Sequence, residues 1–211
     1  MTISMYQASV PRLANILRNL SAILDKAQAH AEAKKIDLQV LTNSRLYPDM
    51  LPMKRQVQIA CDTAKGVAAR LAGVEVPKHE DTEETFAELK ARIAKTIDFI
   101  QTLKPAQIDG SEEKNIHLKL GQREVEYKGM QYLLGHALPN FYFHVVTAYD
   151  ILRHEGVVIG KRDYLSQVGR GRPAFEGVTG TIAFDSLGDV PAKAVVIGVA
   201  HDGHLELDRT R

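Results

Sequence analysis

His136, Asn140 and His144 follow one another at four-residue steps. On an unbroken helix each is turned only about 40° from the last, so the three side chains share one face. Imidazole nitrogens and amide oxygens on the inward face of a helix are groups from which bundle proteins build metal and ligand sites. Gln58, between Val57 and Ile59 in an earlier apolar stretch, offers a second amide. If it turns inward it must find a hydrogen-bond partner, and Asn140 or His144 is the natural one. With Tyr149 these residues are the pocket candidates, and His144 is the metal-ligand candidate among them. The chemistry open to them is that of a solvent-open metal or substrate pocket. The plainer reading is a pair of hydrogen-bonded, partly buried histidines, and it is the stronger one, since an incomplete ligand set does not hold a metal.

Other reactive residue types carry less. Asp62 and Lys65 are spaced as an i,i+3 ion pair on a solvated helix face. Cys61 falls on an apolar stripe, where a cysteine acts as a small hydrophobe. His201 and His204 flank Asp202-Gly203, a turn signal. The sequence contains no nucleophile-triad spacing, Walker loop or dinucleotide glycine pattern.

The elements that must position the candidates are helical. Val10, Leu13, Ile16, Leu17, Leu20, Ile23, Leu24 and Ala27 recur at steps of three and four, which predicts a helix over residues 10–35. A second helix is expected over 49–71, with Pro48 and Pro52 at or before its first turn and Gly73 at its end. Asp81-Thr82-Glu83-Glu84 reads as a capping box opening a third helix, whose stripe Phe86, Leu89, Ile93, Ile97, Ile100 runs towards Pro105. Residues 116–127 switch to period two around Gly121-Gln122, a β-hairpin pattern. A fourth helix follows over 129–154, kinked at Pro139. Four such stripes predict an all-α fold, a four-helix bundle over residues 1–166 with a hairpin before the last helix. Residues 167–211 read as a linker and a β-rich extension, a two- or three-stranded meander that includes the apolar run from Ala194 to Ala200. That extension is too small to hold a core of its own.

The whole chain has 211 residues with 27 basic and 26 acidic side chains, a formal net charge of +1. This balance gives no electrostatic argument for a nucleic-acid or anionic-membrane partner. One cysteine excludes an internal disulfide. No window has the apolar length of a membrane span or a secretory signal, so a cytoplasmic protein is expected.

Two segments carry a resemblance. Ser4-Met5-Tyr6-Gln7-Ala8-Ser9-Val10-Pro11, and His136-Ala137-Leu138-Pro139-Asn140-Phe141-Tyr142-Phe143-His144 through Tyr149-Asp150-Ile151-Leu152-Arg153-His154, are similar to a domain-of-unknown-function branch of the DinB/YfiT-like bundles. Tyr47-Pro48-Asp49-Met50 and Gly160-Lys161-Arg162-Asp163-Tyr164-Leu165 agree with it. In better-known members of that superfamily a divalent metal is held by one histidine of the second helix and a His-x-x-x-His pair of the fourth. The resemblance places His144 on the second histidine of the pair, Asn140 on the first, and the second-helix ligand near Gln58. Only one of three imidazoles is present. The function implied is therefore a non-catalytic or degenerate small-molecule-binding bundle, with a metal-dependent enzyme of thiol-transferase or hydrolase type as the alternative. No organic cofactor is expected, and a divalent metal and a homodimer are left open. Residues 173–211 resemble the C-terminal end of a periplasmic branched-chain amino-acid binding protein, through Phe175-Glu176-Gly177-Val178-Thr179-Gly180 and Phe184-Asp185.

Overall fold

The computed structural model describes residues 3–165 and four short strands beyond them, at 175–177, 180–182, 198–201 and 204–207. The chain divides into two compact units, Met1–Val168 and Gly169–Arg211. In the first, the order is α1 (Met5–Ala8), α2 (Val10–Lys34), α3 (Leu38–Asn43), α4 (Met53–Ala72), α5 (Phe86–Thr102), α6 (Pro105–Ile108), β1 (Asn115–Leu120), β2 (Arg123–Lys128), α7 (Gly129–Gln131), a π-helical turn (Tyr132–Ala137), α8 (Leu138–His154) and α9 (Lys161–Leu165). The expected all-α bundle is the fold, built from α2, α4, α5 and α8.

Helix α4 packs against both α5 and α8, and α2 closes the ring mainly against α5. Its centre suits this position, because Ala60, Cys61, Ala64 and Ala68 are fully buried and small enough for two neighbours to approach. The bulk comes from the partners: Leu13, Leu17, Leu20 and Leu24 of α2, Leu89 and Ile93 of α5, Phe141 and Val145 of α8. Such a core is stabilised chiefly by the apolar surface it removes from water. Cys61 belongs to it, and burial pushes its thiol up to about 12. Helix α9 lies on α2, where the buried Asn19 donates from Nδ2 to the Tyr164 carbonyl at 2.6 Å. Among the described residues no helix is long and apolar enough to cross a membrane.

Three expectations about the elements are corrected, and one short helix is added. Helix α4 starts at Met53, four residues late, because Pro52 is extended and a turn closed by the Met50 amide on the Tyr47 carbonyl precedes it. The short helix α3, capped by the Asp37 carboxylate on the Gln39 amide at 2.9 Å, had no apolar stripe to announce it. The capping box of α5 is Thr85 with Glu88, one turn beyond the Asp81-Glu84 pair. Glu88 takes the amides of Glu84 and Thr85, and those bonds hold its carboxyl below the ordinary value. The last helix is not a simple kink at Pro139. The missing N–H and the ring of Pro139 disfavour a regular turn behind it, and the chain widens there to a π-turn in which the Leu138 amide reaches the Leu133 carbonyl.

The hairpin is as expected, β1 and β2 pairing antiparallel from Asn115↔Lys128 to Leu120↔Arg123, with Gly121 at φ +62° in the turn. Among the described residues of the second unit, 175–177 pairs antiparallel with 180–182 and 198–201 with 204–207. His201 and His204 are backbone partners at the end of the second pair. The linker at Gly169-Pro173 and most of the Ala194–Ala200 run lie outside the described residues.

Candidate functional site

Helices α4 and α8 run antiparallel, and three polar pairs join α4 to α8 and to the π-turn that precedes it. Gln56 meets His144, Oε1 to Nδ1 at 2.7 Å; Asn140 donates from Nδ2 to Thr63 Oγ1 at 3.0 Å; Arg70 donates from Nη1 to the Tyr132 hydroxyl at 3.3 Å. On α4 these residues are seven apart, Gln56, Thr63 and Arg70, so each turns back only about 20° from the last and the three make one stripe. On the other side the steps are four and then eight, the second running through the π-turn. Together they form a polar seam along an otherwise apolar contact.

The amide of Gln56 is fixed from both ends. Its side chain is buried, and Nε2 donates to the Leu51 carbonyl at 3.0 Å, which leaves Oε1 to face His144. A carbonyl oxygen only accepts, so His144 carries its proton on Nδ1 and its Nε2 holds a lone pair. That nitrogen has no hydrogen-bond partner among the described residues. Burial holds the His144 imidazole below the usual histidine value and so in the neutral form near pH 7.

The other candidates are dispersed. His136 is re-aimed by the π-turn and stacks on Tyr127 at 5.8 Å and Tyr132 at 6.1 Å between ring centres. Tyr149 sits edge-on to Tyr164 of α9, on another face of α8. Gln58 does not meet α8. Its Oε1 accepts from Arg55 at 2.7 Å and its Nε2 donates to Glu83 at 2.9 Å. Gln56 takes the place expected for it, because residues two apart on a helix point about 200° away from each other. An open groove lies on the hairpin, lined by His117, Lys119, Glu124 and Glu126 among others, and no seam residue lines it.

The face of α4 towards α5 holds charge instead. The Arg92 guanidinium, 1% exposed, donates to Asp62 at 2.7 Å and to Glu83 at 3.0 Å, and lies 3.0 Å from Asp81. Lys65 pairs with Asp62 at 2.7 Å and Arg55 with Asp81 at 2.6 Å. The Asp62–Lys65 pair is thus part of a network of three cations and three anions, with Lys65 and Arg92 buried, rather than a solvated face. Burial alone would raise the Asp81 carboxyl; Arg55 and Arg92 outweigh it and hold it below the ordinary value.

The comparisons agree with this architecture. A family model described as a domain of unknown function, DUF1993, matches residues 5–165. The chain belongs to the DUF1993 family. A crystal structure of a DinB family member protein from Shewanella denitrificans is 45% identical, with a TM-score of 0.69, covering 76% of this chain and 90% of the other. No curated protein matches it. This DUF1993 chain is therefore a branch member of the DinB-like bundles, as the residues quoted for the resemblance imply. The match of the family ends before the tail, and the resemblance of residues 173–211 to a periplasmic binding protein has no support beyond those residues.

A metal of the superfamily type does not fit the side chains at the seam. Zinc and its neighbours take imidazole, thiolate or carboxylate. The seam offers one imidazole and the amides of Gln56 and Asn140. Gln56 Oε1 is already bonded to His144, and no group of three His, Cys, Asp or Glu residues is placed to hold a metal ion among the described residues.

Sequence reasoning missed Thr63, Arg70 and the role of Gln56. The signal was present as the seven-residue spacing of three polar residues on one α4 face.

Proposed function

We propose that this protein is a non-catalytic, small-molecule-binding bundle that recognises its ligand through hydrogen bonds on the α4–α8 seam, without a metal. The observation that carries this reading is the Gln56–His144 bond at 2.7 Å. It occupies the amide oxygen that a metal would need, fixes the imidazole tautomer and keeps an acceptor nitrogen, Nε2, available. A neutral imidazole of fixed tautomer is a specific acceptor for an N–H or O–H group of a ligand.

The test is elemental analysis of untagged protein, followed by dialysis against zinc, nickel and iron(II). Sub-stoichiometric metal is expected, with no change on His144→Ala. One tightly held ion per chain, lost on His144→Ala, would overturn the reading and favour a metal-dependent enzyme of thiol-transferase or hydrolase type.

A further inference from the structure

We propose that the Arg70 guanidinium, close against Gly66 and hydrogen-bonded to Tyr132, is an anchor for the carboxylate of a small aromatic acid. This rests on the seam being a ligand surface and adds the chemical class of the ligand.

The first support is charge. Arg70 is half-buried, yet its hydrogen-bond partner among the described residues is a neutral phenol, and no carboxylate pairs with it there. Arg92 shows what the same group takes when the protein itself neutralises it. A guanidinium presents a planar fork of donors matched to the two oxygens of a carboxylate.

The second is shape. A Cβ on Gly66 would lie 2.3 Å from Arg70 Nη1, so the guanidinium occupies the space that a side chain would fill. The glycine is buried beneath it, and the arginine is held back along its own helix rather than extended into water.

The third is what surrounds it. The Tyr132 oxygen accepts from Arg70 and keeps its own proton, which can donate to an incoming anion. Burial pushes that phenol up against the opposing pull of Arg70, so the proton stays in place. Tyr132 is buried and stacks on His136, and His136 stacks on Tyr127, so two half-exposed aromatic rings continue from the phenol that Arg70 binds. Aromatic faces of this kind attract a planar ring. Arg70 brings one positive charge, which matches a monoanionic carboxylate better than a phosphate dianion.

The experiment titrates the full chain with benzoate, acetate and inorganic phosphate at one ionic strength, following backbone amide resonances of α4 in every variant and the Arg70 Nε–Hε resonance where Arg70 is present. Saturable binding is expected for benzoate, weaker binding for acetate and none for phosphate. Arg70→Gln should weaken benzoate at least about tenfold, the loss of a charge-assisted hydrogen bond. Tyr132→Phe, which keeps the ring, should weaken it less and provides the result if Arg70→Gln does not fold. Equal, non-saturating shifts with all three anions would overturn the proposal. So would phosphate binding more tightly than benzoate, or benzoate binding that ignores both substitutions. Metal content separates the two readings: bound metal with benzoate binding intact removes only the metal-free reading, and absent binding in metal-free protein removes only this one.

Discussion

Arg92 and Arg70 flank the same helix and have opposite surroundings. Arg92 reaches α4 from α5 and finds Asp62, Asp81 and Glu83, with the carbonyls of Glu80 and Gln58 also accepting from Nη1 and Nη2, while its buried Nε–H has no partner among the described residues. Arg70 stands on the side of α4 towards α8 and finds one phenol. Burying a cation costs several kcal/mol unless it is paired, and a cation that keeps contact with water avoids most of that cost. The first arginine has been taken out of water and neutralised, so its task is to hold the α4–α5 connection on the bundle. The second keeps unused donors at the surface, where a ligand can take them.

Removing Arg92 is the harshest way to test this contrast. Arg92→Met leaves Asp81 and Glu83 without their buried cation and Asp62 with Lys65 alone. A loss of about 3 kcal/mol is expected, towards the low end for a broken buried pair because Asp62 and Asp81 are partly exposed. Thermal unfolding should register it as a fall of about 10 °C. Arg70→Met should move the midpoint by less than about 3 °C, since it strands only a phenol. Similar losses for the two variants would remove the distinction.

The two faces should also titrate in different pH windows. Asp81 has a folded pKa below its unfolded value of about 4, so its contribution is full above that value and is lost as the pH falls through the folded pKa. His144 is lowered by burial, and so is His79, where Lys65, Arg92 and Lys95 add to the effect. Unfolded histidine titrates near about 6.5, so between the folded and unfolded values the unfolded chain binds more protons. Stability should therefore decline as the pH drops below about 6.5, well before the carboxylates protonate, and be flat in this term above it. Urea unfolding from pH 4.5 to 8 measures it. His144→Ala should reduce the slope in that upper window and leave the acid loss unchanged.

How far the sequence disclosed these regions follows from periodicity. Apolar stripes locate α2, α4, α5 and α8 because burial imposes a 3.6-residue period that no other force opposes. The boundaries drifted where two patterns compete. Asp81-x-x-Glu84 and Thr85-x-x-Glu88 both read as capping boxes, and the first pair is spent elsewhere, Asp81 on Arg55 and Arg92 and Glu84 on Lys54. The site was half legible. His144 and Asn140 lie on the seam, but the rotation of α4 decides whether Gln56 or Gln58 joins them, and α4 has polar residues towards both neighbours. Arg92 sits in an apolar stripe of α5, and only the folded connection brings Asp81 and Glu83 to it.

A milder break tests the hydrogen bonds of the seam. Gln56→Leu removes the acceptor of His144 and strands both the imidazole N–H and the Leu51 carbonyl. About 1 kcal/mol of stability should go, the usual cost of an unmade buried hydrogen bond. With no partner left for Nδ1–H, the Nε2–H tautomer should become the major one, which nitrogen chemical shifts of His144 report. An unchanged tautomer would mean that Gln56 does not set it.

Gly66→Ala should have the smallest effect on stability and the most selective effect on binding. Alanine gains up to about 1 kcal/mol over glycine inside a helix. Against that gain, the new methyl meets Arg70 Nη1 at 2.3 Å, and the guanidinium must move. It is the far end of a flexible side chain, so it can leave by changing rotamer at a cost of about 1 kcal/mol, which includes its bond to Tyr132. The two contributions nearly cancel, and the unfolding midpoint should stay within about 3 °C of the parent. Benzoate affinity should nevertheless fall by about tenfold, because the fork no longer stands beside the Tyr132 hydroxyl. A variant with unchanged stability and unchanged benzoate binding would show that the glycine merely tolerates Arg70 and does not position it.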